Sequence, residues 1–314
     1  MAGFGTKSAG RASARPLLAL QGSIAMRIIL AGANGHLGRR LIEALGSQHD
    51  IVAVVRSPAA AQLLIQLPCQ VAIVAYSNHD QLTKAATGCD LMINLTGIIK
   101  ATKTNSYFQA HEETAAALVK ACRAADVPRM IALGICGTSP ASNNACFRSR
   151  AAAEKIMCEG VAATTILRVP MVLGEGDYAS RALIKKSGRA VAFCFRSSSL
   201  EQPLYAGDVI AALSRLLDFE GLGILELSGP ESLPRSSLIQ RAATVGHQGK
   251  VSVISIPLGL GLLMALALET ALSNPPVTRD MLGVLDHDDQ TDSDTAKLLG
   301  IALTPLDEML ARVS

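Results

Sequence analysis

Short runs of aliphatic and β-branched residues alternate with amphipathic segments along the first half of the chain. Runs that are apolar throughout are typical of strands buried on both faces of a parallel sheet, and the segments between them are typical of covering helices. The pattern predicts strands at 28–30, 51–55, 70–76, 91–97, 128–134 and 164–169. It predicts helices at 37–45, 58–67, 79–87, 106–125 and 145–159. This alternation indicates an α/β fold with a doubly wound parallel sheet.

The alternation breaks after residue 170, where the apolar segments become shorter. A strand-like run at 224–230 and a helix that begins near Pro234 follow in this part of the chain. We therefore expect one domain over residues 26–170. A smaller C-terminal lobe, which would bind a substrate or a partner, is expected over residues 171–314 and is interwoven with the first domain.

The stretch between Lys250 and Glu269 contains no charged residue. Pro257 interrupts it, so the part that can form a helix is shorter than the ~20 residues of a membrane span. No transmembrane span is predicted, and the preferred interpretation is a buried strand followed by an apolar helix. A contact with a protein partner or the membrane periphery is the alternative, through Leu260, Leu262, Leu263, Leu266 and Leu268.

Composition restricts the classes of function. With 314 residues, of which 49% are hydrophobic, the chain can bury a substantial core. A net charge of +3 and 3% aromatic residues argue against nucleic-acid binding. The seven cysteines form no C-x-x-C pair, which is typical of reduced intracellular thiols. No metal site is predicted, and the acidic cluster at 286–289 is expected to be a solvated loop.

Residues 1–25 carry Lys7, Arg11 and Arg15 but no acidic residue. This composition is typical of an organellar transit peptide, although a flexible leader fits equally well. Met26 stands directly before the first predicted strand, so the segment is also compatible with an upstream extension. The protein is therefore expected in the cytoplasm or, if this segment is a transit peptide, in an organellar matrix. Peripheral attachment to a membrane is a further option.

Three glycines, Gly32, Gly35 and Gly38, follow the first predicted strand with the spacing G-x-x-G-x-x-G. The first allows a sharp turn, the second allows the backbone to approach a pyrophosphate, and the third allows close packing of helix and strand. The amide groups at the start of the next helix then face the phosphates. The strand before the turn and the helix after it predict a Rossmann-type NAD(P)-binding domain over residues 26–170.

The end of the second predicted strand indicates which dinucleotide is bound. A carboxylate at this position bonds the adenosine ribose of NAD, whereas an arginine accommodates the 2′-phosphate of NADP. This chain has Arg56 there and no acidic residue. A guanidinium offers a permanently charged, bidentate donor to phosphate. NADP(H) is therefore the preferred cofactor, and NAD(H) is the alternative.

Several segments together resemble the atypical, extended branch of the short-chain dehydrogenase/reductase superfamily, which includes NAD-dependent epimerase/dehydratase-like and NmrA-like proteins. They are AGANGHLG, NLTG, FRSRAAAE, ILRVPMVLGEGD, YAGDV and NPPVTRDML. Within that branch the chain is most similar to the nucleotide-binding accessory subunit of respiratory complex I and its bacterial relatives. The resemblance implies a set of cofactor-binding residues, namely Gly32, Asn34, Gly35, His36, Leu37, Gly38, Arg56, Leu95, Thr96, Gly97, Arg150, Pro170, Met171 and Val172.

Enzymes of this superfamily typically use a tyrosine, a lysine four residues later and a serine or threonine after strand five. The lysine lowers the tyrosine pKa from its unperturbed value of ~10. Aligned on the RSR segment, these positions hold Cys146, Arg150 and Gly134. Arg150 keeps a cation that can still hold the cofactor, and it would depress the pKa of a thiol at Cys146. The preferred interpretation of Cys146 is a small buried filler.

Three functions are compatible with intact cofactor-binding motifs and altered residues at the three catalytic positions. The first is a structural or redox-sensing NADP(H)-binding protein, linked to a respiratory or quinone-related assembly. The second is an active NAD(P)-dependent oxidoreductase or epimerase that acts on a small molecule. The third is a regulatory protein that senses NADP(H). The fold alone does not decide among them.

Overall fold

The computed structural model describes residues 25–314 except 248, 273–274, 286 and 292–293, so the predicted leader lies outside the described residues apart from residue 25. The described strands are β1 (Arg27–Ala31), β2 (Asp50–Val55), β3 (Gln70–Ile73), β4 (Leu91–Asn94), β5 (Arg129–Ile135), β6 (Ala163–Val169), β7 (Val172–Leu173), β8 (Val191–Phe195), β9 (Leu200–Glu201), β10 (Leu204–Tyr205), β11 (Gly223–Glu226), β12 (Leu233–Pro234) and β13 (Ser252–Ile256). The described α-helices are α1 (His36–Leu45), α2 (Pro58–Gln62), α3 (His79–Ala86), α4 (Thr114–Ala124), α5 (Ala145–Gly160), α6 (Tyr178–Ser187), α7 (Ala206–Arg215), α8 (Arg235–Val245), α9 (Leu258–Ala271), α10 (Arg279–Leu285), α11 (Thr295–Leu299) and α12 (Leu306–Val313).

The main sheet of the described residues has seven strands in the order β11-β6-β5-β4-β1-β2-β3. Every neighbouring pair in it is parallel. The chain builds outward from β1 through β2 to β3, then returns to β4 on the other side of β1. In doubly wound sheets such a reversal opens a crevice at the carboxyl ends of the strands, where ligands bind. The predicted α/β fold of Rossmann type is confirmed.

Both faces of the main sheet are buried. In β1, Ile28 and Leu30 belong to the core shared with α1 and α7, whereas Ile29 and Ala31 belong to the core under α3, α4 and α5. All four side chains are at most 1% exposed. Burial of a large aliphatic side chain contributes about 1.5–3 kcal/mol relative to exposure, so these positions fix the register of the central strand.

Two predicted helices differ in their extent. The helix predicted at 58–67 ends at Gln62, and Leu63 is its C-cap residue. The helix predicted at 106–125 begins with a π-helical segment at Phe108–Glu113 before α4. The ring of Tyr107, directly before this segment, stacks on the ring of His111 within it, with the centroids 5.7 Å apart.

The strand predicted at 224–230 was assigned to the smaller lobe, and this assignment is wrong. The strand is β11, and it pairs in parallel with β6 at the edge of the main sheet. The reason is that Leu227 and the neighbouring Leu225 pack against the core formed with α1 and α7. A separate core under β8 and β13 contains residues of α6, α8 and α12. The boundary at residue 170 stays a prediction.

The uncharged stretch is predicted to form a buried strand followed by an apolar helix, and only the burial of the strand is wrong, because no residue of β13 is fully buried. It does form β13 and α9, but only Gly261 and Ala265 of α9 are buried. Each element has one side that is exposed to solvent. Among the described residues, no helix combines the length and the apolarity that crossing a membrane requires.

Candidate functional site

The glycine turn lies between β1 and α1, at the carboxyl edge of the sheet. Gly32 has a φ of +83°, a backbone conformation that favours glycine. A Cβ atom on Gly32 would lie 2.9 Å from the carbonyl carbon of Leu95, and one on Gly38 would lie 2.6 Å from the oxygen of Ala33. The predicted sharp turn and close helix packing are therefore present in the structure.

The start of α1 is open to an anionic ligand. Gly35 is its N-cap residue, no side chain caps the helix, and its first turn contains no acidic residue. Asn34 and Gly35 are exposed at this point. Uncapped amide groups and the positive end of the helix dipole suit a phosphate group. The residues present thus fit the pyrophosphate of a dinucleotide.

His36 and Arg40 connect this turn to the segment after β7. His36 Nε2 donates to the carbonyl oxygen of Glu175 over 2.9 Å, and Arg40 forms an ion pair with the Glu175 carboxylate. Burial alone raises the pKa of Glu175, but hydrogen bonds from Tyr205 and Arg40 outweigh it and lower the pKa to about 2. His36 therefore has a structural partner in the segment after β7.

The predicted adenosine end of the crevice lies at the ends of β2 and β3. Arg56 is exposed directly after β2, and Ser57 caps α2 by accepting from the amide of Ala60. The hydroxyl of Tyr76 lies near the Gly32 backbone and Arg56. Burial raises its pKa, against the effects of these two neighbours. Tyr76 is not among the predicted site residues, although its place at the end of the third predicted strand was a signal for it.

The loops after β4 and β6 lie at the same edge of the sheet, where the nicotinamide end is predicted. The amide of Leu95 donates to Ala31 over 2.9 Å, which holds this loop beside the glycine turn. The hydroxyl of Thr96 donates to Asn94 over 2.6 Å. After β6, Met171 accepts a hydrogen bond from the amide of Leu204. The remaining predicted residues are placed in the same two loops and in β7, namely Gly97, Pro170 and Val172.

The three altered catalytic positions are close to this edge. A Cβ atom on Gly134 would lie 2.7 Å from Glu154 Oε1, so a serine would collide with the buried ion pair of Glu154 and Arg168. The ion pair of Glu154 and Arg168 therefore occupies the space that a serine side chain would need. At the lysine position, Arg150 Nη1 donates to the carbonyl oxygens of Leu133 at 3.3 Å and Thr96 at 3.5 Å.

Cys146 is fully buried at the start of α5. Its Sγ donates to the carbonyl oxygen of Ile98 over 3.5 Å. Burial raises the thiol pKa to about 11, although Arg150 opposes the increase. The expectation that a nearby cation would depress this pKa is wrong in its net direction, because desolvation is the larger effect. The interpretation as a buried filler agrees with this environment.

His111 was not singled out from the sequence. Its Nε2 donates to the carbonyl oxygen of Ile98 over 3.0 Å. Burial and the neighbouring Arg150 lower its pKa to about 3, so the imidazole is neutral. His111 Nδ1 and Arg150 Nε are buried and have no hydrogen-bond partner in the described part of the chain. They line a cavity of about 10 Å³, which is room for one water molecule.

Asp288, in the predicted acidic loop, is held by the segment between β8 and β9 instead of being fully solvated. Its carboxylate accepts from Arg196 and Ser199, and these donors and the amide of Leu200 lower its pKa. Asp286 lies outside the described residues. Within the described ranges there is no cluster of three or more metal-ligating side chains.

Comparison with known proteins agrees with this geometry. Residues 32–189, just over half of the chain, match the model of a family described as NAD(P)H-binding. The chain belongs to the NAD(P)H-binding family. It has an oxidoreductase-like Rossmann fold, and the matched segment extends from the glycine turn to Arg189, just before β8.

Two relatives and one solved structure extend the comparison. The chain is 26% identical over 284 residues to the ceramide reductase of Caulobacter vibrioides, across 87% of this chain and 88% of the relative. It is 27% identical over 214 residues to the mitochondrial NADH dehydrogenase (ubiquinone) 1 alpha subcomplex subunit 9 of Arabidopsis thaliana, across 64% of this chain and 53% of the relative. The NADPH-dependent quinone oxidoreductase of Escherichia coli, complexed with NADPH, has a TM-score of 0.71 at 22% identity, over 90% of this chain and 98% of that one.

The predicted resemblance to complex I accessory subunits is thereby confirmed as a distant relationship. The likeness to the quinone oxidoreductase shows the common fold. Binding of a nicotinamide dinucleotide is supported for this chain.

Proposed function

We propose that this protein is an NADP(H)-dependent reductase that works without a tyrosine and lysine pair. The observation that carries the proposal is the open glycine turn at the reversal of strand order, with Arg56 at the end of β2 and no acidic residue beside it. A permanent cation at this position favours a 2′-phosphate over a ribose hydroxyl. The proposed contacts of the cofactor are the predicted residues of the turn and of the loops after β4 and β6.

The substrate class is proposed from the relative that matches over most of both chains. That relative is named ceramide reductase, so we propose a long-chain lipid carbonyl compound as the substrate here. Reduction of a carbonyl group needs a hydride, which NADPH supplies when bound, and a proton. The buried Cys146 thiol is a poor proton donor because its pKa is raised to about 11. The Arg150 cation stabilises negative charge on the substrate oxygen, and solvent supplies the proton.

A second candidate is a protein that binds NADP(H) without turnover, in a structural, redox-sensing or regulatory role. The observation that favours it is the loss of all three catalytic side chains at Gly134, Cys146 and Arg150. The similarity to a subunit of NADH dehydrogenase, which is one part of a larger assembly, is compatible with such a role. A respiratory or quinone-related partner belongs to this candidate.

Cofactor preference is tested by replacing Arg56 with glutamine. We expect the Kd for NADPH to rise roughly ten- to hundredfold and the Kd for NADH to change little, because a charge-assisted phosphate contact is lost. Isothermal titration calorimetry with both cofactors measures this. Arg181→Gln, which removes another exposed arginine, is the matched control. A wild-type protein that prefers NADH would contradict the NADP(H) assignment.

Turnover separates the two candidates. NADPH oxidation is measured with a long-chain 3-ketone and, for comparison, with short ketones and quinones. We expect Arg150→Met to lower kcat roughly 100-fold, as for the loss of one oxyanion donor, and Cys146→Ala to keep most of the activity. Tight NADPH binding without oxidation of NADPH by any of these substrates would favour the second candidate. Loss of turnover in Cys146→Ala would show instead that the thiol transfers the proton.

A further inference from the structure

Helix α9 is apolar on every side, yet it lies at the surface. Such helices are normally buried in a protein core or in lipid. Here the exposed fractions are 52% for Leu260, 65% for Leu263, 48% for Met264 and 40% for Leu266. The helix carries no charged residue before Glu269. The described chain thus leaves most of its apolar surface in contact with solvent.

The outer side of the two-stranded sheet β8 and β13 continues this surface. Phe193 and Ile254 are paired neighbours in the sheet, 56% and 46% exposed. The ring of Phe195, at the end of β8, lies against Gly261 of α9. Sheet and helix therefore form one exposed surface, which we call the apolar face. It comprises Val191, Phe193, Ile254, Leu260, Leu263, Met264 and Leu266.

The chain segments that form the apolar face and lead into it carry basic but, up to Leu268, no acidic residues. Residues 178–200 contain five basic and no acidic residues, and residues 232–268 also lack acidic residues. Arg189 and Lys250 each stand two residues before the start of their strand, β8 or β13, and are exposed. Neither forms an ion pair with a described residue. Arg196 pairs with Asp288, and Glu269, which follows Leu268, pairs with Arg279.

We propose that the apolar face docks on the surface of an anionic phospholipid bilayer. At 1.5 Å per residue, the 14 residues of α9 extend about 21 Å, less than the ~30 Å of a bilayer core, so the helix lies within the interface. Arg189 and Lys250 then meet lipid phosphates. A second copy of the chain is a poorer partner, because a two-fold interface would oppose two basic rims without acidic groups.

Docking would also bring the proposed active site to the lipid. After α9, the chain forms α10, and Leu282 lies near Gly261. The side chain of Asn144, the N-cap of the helix that carries Cys146 and Arg150, donates to the carbonyl oxygen of Asp280 over 2.8 Å. A lipid substrate would thus reach the site from the bilayer. This last step rests on the proposed function, whereas docking itself does not.

The test is co-sedimentation of the full chain with vesicles of phosphatidylcholine alone or of equal parts of phosphatidylcholine and phosphatidylglycerol. We expect the wild type to sediment with the anionic vesicles and to be released by high salt. The double variant Leu260→Gln/Leu263→Gln should bind at least about tenfold less tightly, because two apolar contacts are lost. Arg189→Gln/Lys250→Gln should bind roughly tenfold less tightly to the anionic vesicles only.

Two matched controls accompany these variants. Leu63→Gln removes a leucine that is 54% exposed outside the apolar face, and Lys84→Gln/Lys120→Gln removes two exposed lysines elsewhere. Both should bind vesicles like the wild type. Calorimetric binding of NADPH and the thermal midpoint confirm that every variant is folded. A wild type that stays in the supernatant, or equal loss in variants and controls, overturns the proposal. So does a dimer in light scattering that Leu260→Gln/Leu263→Gln disperses when no vesicle binding occurs.

Discussion

Replacing Gly38 with alanine is expected to raise the Kd for NADPH at least tenfold and to destabilise the first domain. The added methyl group would lie 2.6 Å from the oxygen and 2.8 Å from the carbonyl carbon of Ala33. These are backbone atoms of the glycine turn, so relief requires α1 to move away from β1. Overpacking of this kind costs about 1–3 kcal/mol. The movement also shifts the amide groups that are proposed to meet the pyrophosphate.

The measurements are calorimetric titration with NADPH and urea unfolding. Gly259→Ala in α9 is the matched control, because a Cβ atom there meets no other atom within 4 Å. It should leave NADPH binding unchanged and leave stability equal or slightly higher, since alanine is the better helix residue by about 1 kcal/mol. Unchanged NADPH affinity in Gly38→Ala would show that the cofactor does not bind at this turn.

Replacing Arg168 with methionine is expected to lower the free energy of unfolding by about 3–5 kcal/mol. The Arg168 guanidinium contacts both carboxylate oxygens of Glu154, with Nη2 2.6 Å from Oε2. The side chain of Glu154 is only 4% exposed. Removal of the arginine leaves a buried carboxylate without its counter-ion, and a methionine of similar length cannot replace the charge. Lys155→Met is the matched control and should cost less than about 1 kcal/mol, because its pair with Glu159 is exposed.

The pH dependence of this loss has a definite sign. Burial already raises the pKa of Glu154 above its ordinary value in the wild type, against the effect of Arg168. Loss of Arg168 raises it further. A carboxyl group whose pKa is raised in the folded state destabilises the fold. The penalty is full above the folded-state pKa, decreases as the pH falls below it and vanishes at the unfolded-state pKa. Urea unfolding should therefore show a larger loss at about pH 8 than at about pH 5. An equal loss at both would mean that packing, and not charge, is responsible.

Much of the nucleotide-binding half could be predicted from local sequence. The six strands of the first domain and the glycine turn are local features, because the apolar runs and the conformational demands of Gly32 and Gly38 act over a few residues. Helix limits were less accurate. Helix α2 ends five residues earlier than predicted, and the π-helical segment before α4 has no local signature in the chain.

At the altered catalytic positions, the local sequence did not determine the chemistry of the side chains. Gly134, Cys146 and Arg150 could be identified by alignment, but the sign of the Cys146 pKa shift depends on burial, which is a tertiary property. The same is true of Tyr76 and His111, which approach the site from elements distant in sequence.

The sequence by itself determined the parallel α/β sheet, the position of the phosphate turn and the candidate cofactor, since each depends on short-range patterns of side-chain polarity and backbone freedom. The tertiary structure alone decided that β11 completes the main sheet, that Glu154 and Arg168 occupy the space beside Gly134, and that β13 and α9 are exposed. An apolar segment is expected to be removed from water. Only the arrangement of the other elements determines whether this chain itself covers that segment.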